Sequence, residues 1–275
     1  KKIENFINDK TAMAKKIDSG VKRSKEFTWS GVAKKTIHSI AAALKPKINK
    51  CTKTGDKIEK KKIKKSSLAF FSPMPPDKSG IADYSHSLSE GLTDYYEVTI
   101  VNSSYKFSSD KKNLKQITCE EFVSDPVKFD RVLYHFGNSH FHMEYFDYLE
   151  TNPGVSVLHD FFLGGVISLR SDSNSLIKDN YGSKGVAKIH TKGEGDFYDN
   201  FPGNLSIIQN SYGIILHSNF AHNLVNFWYG DDGMSKSCVI PLFRNKIEKL
   251  PRNAAREKLG IDGKKFLVSS FVSYY

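Results

Sequence analysis

The residues best suited to chemistry lie in short segments that follow apolar runs. In "VLYHFGNSHFHMEYF" (132–146), His135, His140 and His142 crowd together and invite a metal reading. His140 and His142 are two apart at an expected helix start, so they point to different sides. No Cys pair or HExxH pattern accompanies them. The spacing therefore favours polar contacts to a hydroxyl-rich ligand, and no metal is expected. Asn138 or Ser139 can cap the helix that follows. In "VSVLHDFFLGG" (155–165), His159 and Asp160 sit where a strand should end. A histidine there can bond a substrate hydroxyl or a phosphate, with its charge tunable near neutral pH. Equally, it can be anchored to the backbone, with Asp160 capping a helix.

Three further segments carry weaker signals. "FFSPMPPDKSGIADYSHSLSEGL" (70–92) ends an apolar run in a Pro-rich loop, with Ser79 and Gly80 at a helix start. Prolines stiffen the loop and remove donors. Gly permits close backbone approach, and the free amides of a first helical turn favour an anion. A diphosphate or carboxylate fits there, as does a simple capped turn. In "GIILHSNFAHNLVNFWYG" (213–230), Ser218 or Asn219 should cap a helix whose Phe220, Leu224 and Phe227 or Trp228 face the core. His217 and Ser218 as cleft-lining residues are the secondary reading. Arg244, in "VIPLFRN", follows a strand and could meet an anion or simply be solvated.

The elements that would position these residues alternate. Strands are expected at Leu68–Ser72, Val98–Asn102, Arg131–Phe136, Val155–His159, Tyr212–His217, Cys238–Leu242 and Phe266–Val272. Helices are expected at Ile81–Leu92, Phe141–Glu150, Phe161–Arg170, Asn219–Tyr229 and Ala254–Leu259. Buried β-branched runs between amphipathic helices indicate a doubly wound, Rossmann-like parallel sheet with helices on both faces. Ligands of such sheets sit beyond the carboxyl ends of the strands, where these segments fall. Residues 171–204, rich in Ser, Asp, Asn and Gly, read as a mobile loop or one irregular helix. There is no dinucleotide glycine fingerprint and no Walker lysine-serine pair.

Charge is unevenly spread. Residues 1–65 carry 20 Lys+Arg against 6 Asp+Glu, a net +14 in a chain of +11, so the remainder is −3. Nucleic-acid binding by the folded body is therefore not expected, because phosphate contacts would need the charge there. The basic segment can meet an anionic membrane surface, or act only as a solvated linker. Residues 1–45 read as a helical arm ended by Pro46, 46–66 as a lysine-rich linker, 67–265 as the α/β domain, and 266–275 as the first strand of a further domain. Cys51, Cys119 and Cys238 lack disulfide or zinc spacing, which suggests a reducing, cytoplasmic compartment.

Taken together, "SPMPPDKSGIADYSHSL", "YHFGNSHFH", "VLHD", "ILHSNFAHNLV" and "VIPL…AAREKLGI" resemble, in order, the N-terminal half of a GT-B retaining glycosyltransferase of the large family 4. The likeness runs from about Leu68 to Val272. It implies a metal-independent transfer of a hexose, such as mannose or rhamnose, from a nucleotide-sugar to a glycan or lipid-linked glycan. No other cofactor is implied. By this resemblance Ser79 and Gly80 lie near the donor diphosphate, and His159 with Asp160 near the transferring sugar. Asp83, Tyr84, Asn138, Ser139 and His142 fall on the acceptor side. The family's donor-binding half would begin near "FLVSSFVSYY", so this segment alone is expected not to turn over. "FTWSGVAKKTIHSI" (27–40) resembles the closing helix of a preceding transferase module, which implies a tandem arrangement suited to polysaccharide synthesis at the cytoplasmic membrane face. The alternative is a catalytically inert module of the same fold that binds glycan or scaffolds a neighbouring transferase.

Overall fold

The structure is a computed structural model. It describes residues 65–102, 114–125, 128–192, 201–242, 250–263 and 267, with residues 11, 15–16, 18–20, 22 and 34–37 of the N-terminal segment. Seven strands form one parallel sheet: β1 (Ser66–Phe71), β2 (Tyr96–Val101), β3 (Lys115–Ile117), β4 (Arg131–Phe136), β5 (Val155–Leu158), β6 (Gly213–Leu216) and β7 (Ser237–Val239). Their order is β3-β2-β1-β4-β5-β6-β7, all parallel. The direction of winding reverses between β1 and β4, which is the switch point where such sheets open a crevice at their carboxyl ends. The fold is a Rossmann-like α/β fold.

The connections are α1 (Gly80–Leu92), α2 (Cys119–Ser124), a 3-10 turn (His140–His142), α3 (Tyr145–Thr151), α4 (Gly164–Ser168), α5 (Ser173–Lys192), α6 (Leu205–Asn210) and α7 (Asn219–Lys236). Both sheet faces are covered, and the strands accordingly read as near-continuous apolar runs. Side chains alternate between two clusters. Ala69, Phe71, Tyr134, Phe136, Leu158, Ile214 and Leu216 join a cluster with Phe122, Phe146, Ile207 and Val225 on one face. Leu68, Phe70, Leu133, Val155, Val157 and Ile215 join Leu88 and Leu92 of α1 on the other. Ile37 also packs on that second cluster, and Thr36 beside it is buried.

Several expectations are corrected. The helix expected at Phe141–Glu150 is a 3-10 turn followed by the shorter α3. The helix expected at Phe161–Arg170 is only α4, five residues long. Of the two readings of residues 171–204, the irregular helix is the one found: α5 is broken at Gly182, whose φ of 65° is left-handed, and Asn204 is the N-cap of α6. Phe220 and Phe227 do not face the core: they are 72% and 79% exposed, and Val225 with Ala221, Leu224 and Trp228 forms the packed stripe.

The chain divides into two compact units, Lys1–Arg244 and Asn245–Tyr275. The second contains α8 (Arg252–Lys258), stabilised at its end by Ile261 N–H donating to Arg256 O at 2.8 Å. Arg244, the strand expected at Phe266–Val272 apart from Leu267, and most of the arm and linker lie outside the described residues. Among the described residues no helix is long and apolar enough to cross a membrane.

Candidate functional site

The loops after β1, β4, β5 and β6 meet at the carboxyl edge of the sheet. After β1, the backbone closes on itself: Asp77 N–H donates to Met74 O at 3.0 Å and Ser79 N–H to Asp77 O at 2.8 Å. Ser79 is the N-cap of α1 and accepts from Ile81 N–H at 3.2 Å. Gly80 is exposed, and a Cβ there would meet open space, so the first turn of α1 is accessible to a ligand. Asp83 is exposed on the next turn, and Tyr84 is partly buried over the strand ends.

After β4 the chain must turn tightly at Gly137. A Cβ at that position would sit 2.3 Å from Ile81 Cδ1 and 2.9 Å from His142 Nε2. Asn138 then ties three loops together. Its N–H donates to Asp160 Oδ2 at 2.8 Å, and its Oδ1 accepts from Val166 N–H at 3.0 Å. Asn138 thus caps α4 from across the site, in place of the capping role expected of Asp160, whose carboxylate fastens the β4 loop instead. Ser139 occupies the cap position of the 3-10 turn without a side-chain cap bond. His142 is fully buried: Nδ1–H donates to His135 O at 2.9 Å, and Nε2 has no partner. Burial pushes its pKa down to about 4, against a smaller raising effect of the carbonyl bond. As an acceptor-binding residue it would need the 3-10 turn to open.

The chemical centre is a row of three histidines, one from each of three adjacent strands. Alternation along β4, β5 and β6 puts Leu133, Val157 and Ile215 on the α1 face, and with them His135, His159 and His217 two residues on. His135 Nδ1 lies 3.0 Å from His159 Nε2, and His159 Nδ1 lies 3.1 Å from His217 Nε2. His217 Nδ1 is 2.9 Å from Ile240 O, and Ile240 N–H returns a bond to Leu216 O at 2.8 Å. At the other end Ser85 Oγ lies 3.0 Å from His135 Nδ1 and accepts from Ser72 Oγ–H at 2.6 Å. The Tyr84 ring covers the row, with centroids 5.9, 5.0 and 5.6 Å from His135, His159 and His217.

Burial lowers the proton affinity of all three rings, and the neighbouring histidines lower that of His135 and His159 further. His135 is fully buried, whereas His159 and His217 are partly exposed. Burial likewise raises the Tyr84 pKa, so its phenol stays protonated. Among the described residues no group of His, Cys, Asp or Glu is arranged to hold a metal ion.

Ser79, Gly80, Tyr84, Asn138, His159, Asp160 and His217 are therefore brought together. Ser218 acts as the α7 cap, accepting from Ala221 N–H at 3.1 Å, in line with the structural reading of that segment. Sequence reasoning names His135 only within a histidine cluster with His140 and His142, and it does not reach Ser72 or Ser85. Their signal is present only as apolar strands that end in polar residues. A separate cleft of about 380 Å3, lined by Arg131, Asn152, Gly154 and Tyr212 among others, opens at the opposite, amino edge of the sheet. It contains none of these groups. No known family model matches the chain, and no curated protein matches it either.

Proposed function

We propose that this chain is the acceptor-side domain of a retaining GT-B sugar transferase. The observation that supports the reading best is convergence. Segments far apart in the sequence, around Tyr84, Asn138, His159–Asp160 and His217, bring polar groups together at the carboxyl edge of the sheet, beside its switch point. Such a crevice, lined by imidazoles, a tyrosine and short polar side chains, suits a hydroxyl-rich ligand. The exposed first turn of α1 offers the Gly80 amide and the helix dipole to the departing diphosphate of a nucleotide-sugar, the next three amides being bonded to Ser79. Tyr84 offers a ring face for a sugar to lie on, and Asp83 and Asn138 offer hydrogen bonds at the rim. The donor would be a nucleotide-hexose and the acceptor a glycan or lipid-linked glycan, with the basic residues 1–66 favouring an anionic membrane face.

One observation favours a second reading, an inert module that binds glycan. Both ring nitrogens of His159 are already bonded within the protein, so a catalytic contact from that ring requires one of these bonds to break.

Titration of the chain with oligosaccharides and with nucleotide-sugars, followed by saturation-transfer NMR, tests the proposal. Binding that is lost in Tyr84→Ala is expected, without multiple turnover. Sustained turnover by this chain alone would overturn the acceptor-domain reading, and failure of both ligand classes to bind would overturn the sugar reading itself.

A further inference from the structure

The histidine row ends on a backbone carbonyl, and that end fixes every proton in it. A carbonyl only accepts. Ile240 O therefore requires a proton on His217 Nδ1. In the neutral row His217 Nε2 is then bare, and the 3.1 Å bond to it is donated by His159 Nδ1–H. His159 Nε2 is bare in turn and accepts from His135 Nδ1–H at 3.0 Å. Ser85 Oγ lies 3.0 Å from the same nitrogen of His135. The last bare nitrogen, His135 Nε2, is buried without a partner. His142 repeats the device on His135 O, which leaves its own Nε2 bare and buried.

We infer that His135 and His217 are positioning residues that hold His159 as the neutral Nδ1–H tautomer and join the three rings into a relay with room for one proton. The inference rests on the reading of His159 as the ring that meets a ligand, but its test uses none. The proton balance is simple. The neutral row carries three N–H protons, one on each Nδ1. A fourth, taken from solvent in acid, occupies His135 Nε2, the one vacant nitrogen of the row. The His135 Nδ1 proton crosses to His159 Nε2, and the His159 Nδ1 proton crosses to His217 Nε2. Charge comes to rest on His217, which is the least buried ring and keeps its bond to Ile240 O. The two inner rings are left neutral and reversed, as Nε2–H tautomers. A second proton would set two imidazolium ions one hydrogen bond apart in a buried site.

The groups around the row allow this. Tyr84 faces it from α1, His142 from the 3-10 turn and Phe70 from β1, and Cys238 lies on β7 in the same cluster. The flanking segments also carry His86, Asp83, His140 and Asp160, and Asp160 is bonded to Asn138 N–H. The electrostatic influences on His135 and His159 are those of other histidines. Charge on one ring is therefore felt by the next, and the three titrate as a unit.

Long-range proton–nitrogen spectra of the 15N-histidine-labelled chain, taken between about pH 8 and 4 around the ordinary histidine range, test the inference. The expected result is Nδ1–H on all three rings when neutral, then one protonation step in which His159 and His135 switch to Nε2–H together. His159 as Nε2–H in the neutral protein, or three independent titrations, would overturn it. His217→Ala removes the anchor and is expected to release His159 to a mixed or Nε2–H population. His217→Gln, whose amide oxygen can still accept from His159 Nδ1–H, is expected to restore the wild-type tautomer. If His217→Ala folds with the His159 tautomer unchanged, His217 is not a positioning residue. If His217→Ala does not fold, the wild-type and His217→Gln spectra decide.

Discussion

The two faces of the sheet are built from the same strands and do different work. On one face Phe71 stacks on Tyr134 at 4.5 Å and meets Phe122 edge-on at 4.8 Å, and the Tyr134 hydroxyl donates to the carbonyls of Asn152 at 2.9 Å and Tyr148 at 3.1 Å. The Tyr134 hydroxyl there serves packing, tying β4 to the end of α3. The other face is aliphatic along Leu68, Leu133, Val157 and Ile215 but finishes in imidazoles. Its polar atoms include bare, buried nitrogens on His135 and His142. Unmade bonds of this kind cost stability and are retained where they serve something else. The aromatic face holds the fold, and the α1 face holds the titratable chemistry.

Substitutions should separate the two roles. Phe71→Ala, on the packing face, is expected to destabilise by about 3–5 kcal/mol in urea unfolding, while the histidine tautomers of the folded fraction stay as they are. A changed tautomer pattern would join the two faces that are here set apart.

Acid should act through the other face. His142 has its pKa lowered by burial from 6.5 to about 4. The unfolded chain therefore binds more protons than the folded one in this window, and stability falls as pH drops from 6.5 towards 4. That ring alone should contribute a loss of about 3 kcal/mol. Urea midpoints measured across the range check this, and a flat profile would remove His142 from its buried, neutral state.

Gly137→Ala should cost about 1–3 kcal/mol, because its Cβ would press on Ile81 and on the His142 ring. Thermal unfolding reads it, and an unchanged midpoint would show that the turn has more room. The smallest effect is expected from Gly80→Ala, within about 0.5 kcal/mol in stability, since its Cβ meets open space. A stable Gly80→Ala that loses nucleotide-sugar binding would sharpen the α1 turn into a close-approach site.

Much of the fold was legible because burial on both faces writes itself as apolar runs. β4 was expected at Arg131–Phe136 and forms there, and α1 begins one residue earlier than Ile81. β3 escapes a reading of the sequence because "KQI" is a three-residue edge strand with no alternation to read. α5 was not distinguished from a loop because its helix is held by tertiary bonds rather than propensity. Ile177 is buried, Asn180 Oδ1 accepts from Leu205 N–H at 3.0 Å, and the Tyr181 hydroxyl accepts from Gly203 N–H at 2.6 Å. In α7 the expected Leu224 and Trp228 pack on the core, whereas Phe220 and Phe227 share a helical face that the core does not need.

Of the site, His159 and His217 were visible as residues after strands, but their link was not. It depends on register: His159 continues the pairing of Val157 with Ile215 towards His217, whereas His135 lies directly beside Val157. No spacing along one chain encodes that alignment.

The central claim is that the carboxyl edge of the sheet, not the amino-edge cleft, receives the ligand. The most direct measurement is a chemical-shift map of the labelled chain titrated with an oligosaccharide and with a nucleotide-sugar. The expected result is movement of the Tyr84, His159 and His217 signals, with Tyr212 and Arg131 unmoved. Shifts confined to Tyr212, Arg131 and Asn152, or none at any ligand concentration, would contradict it.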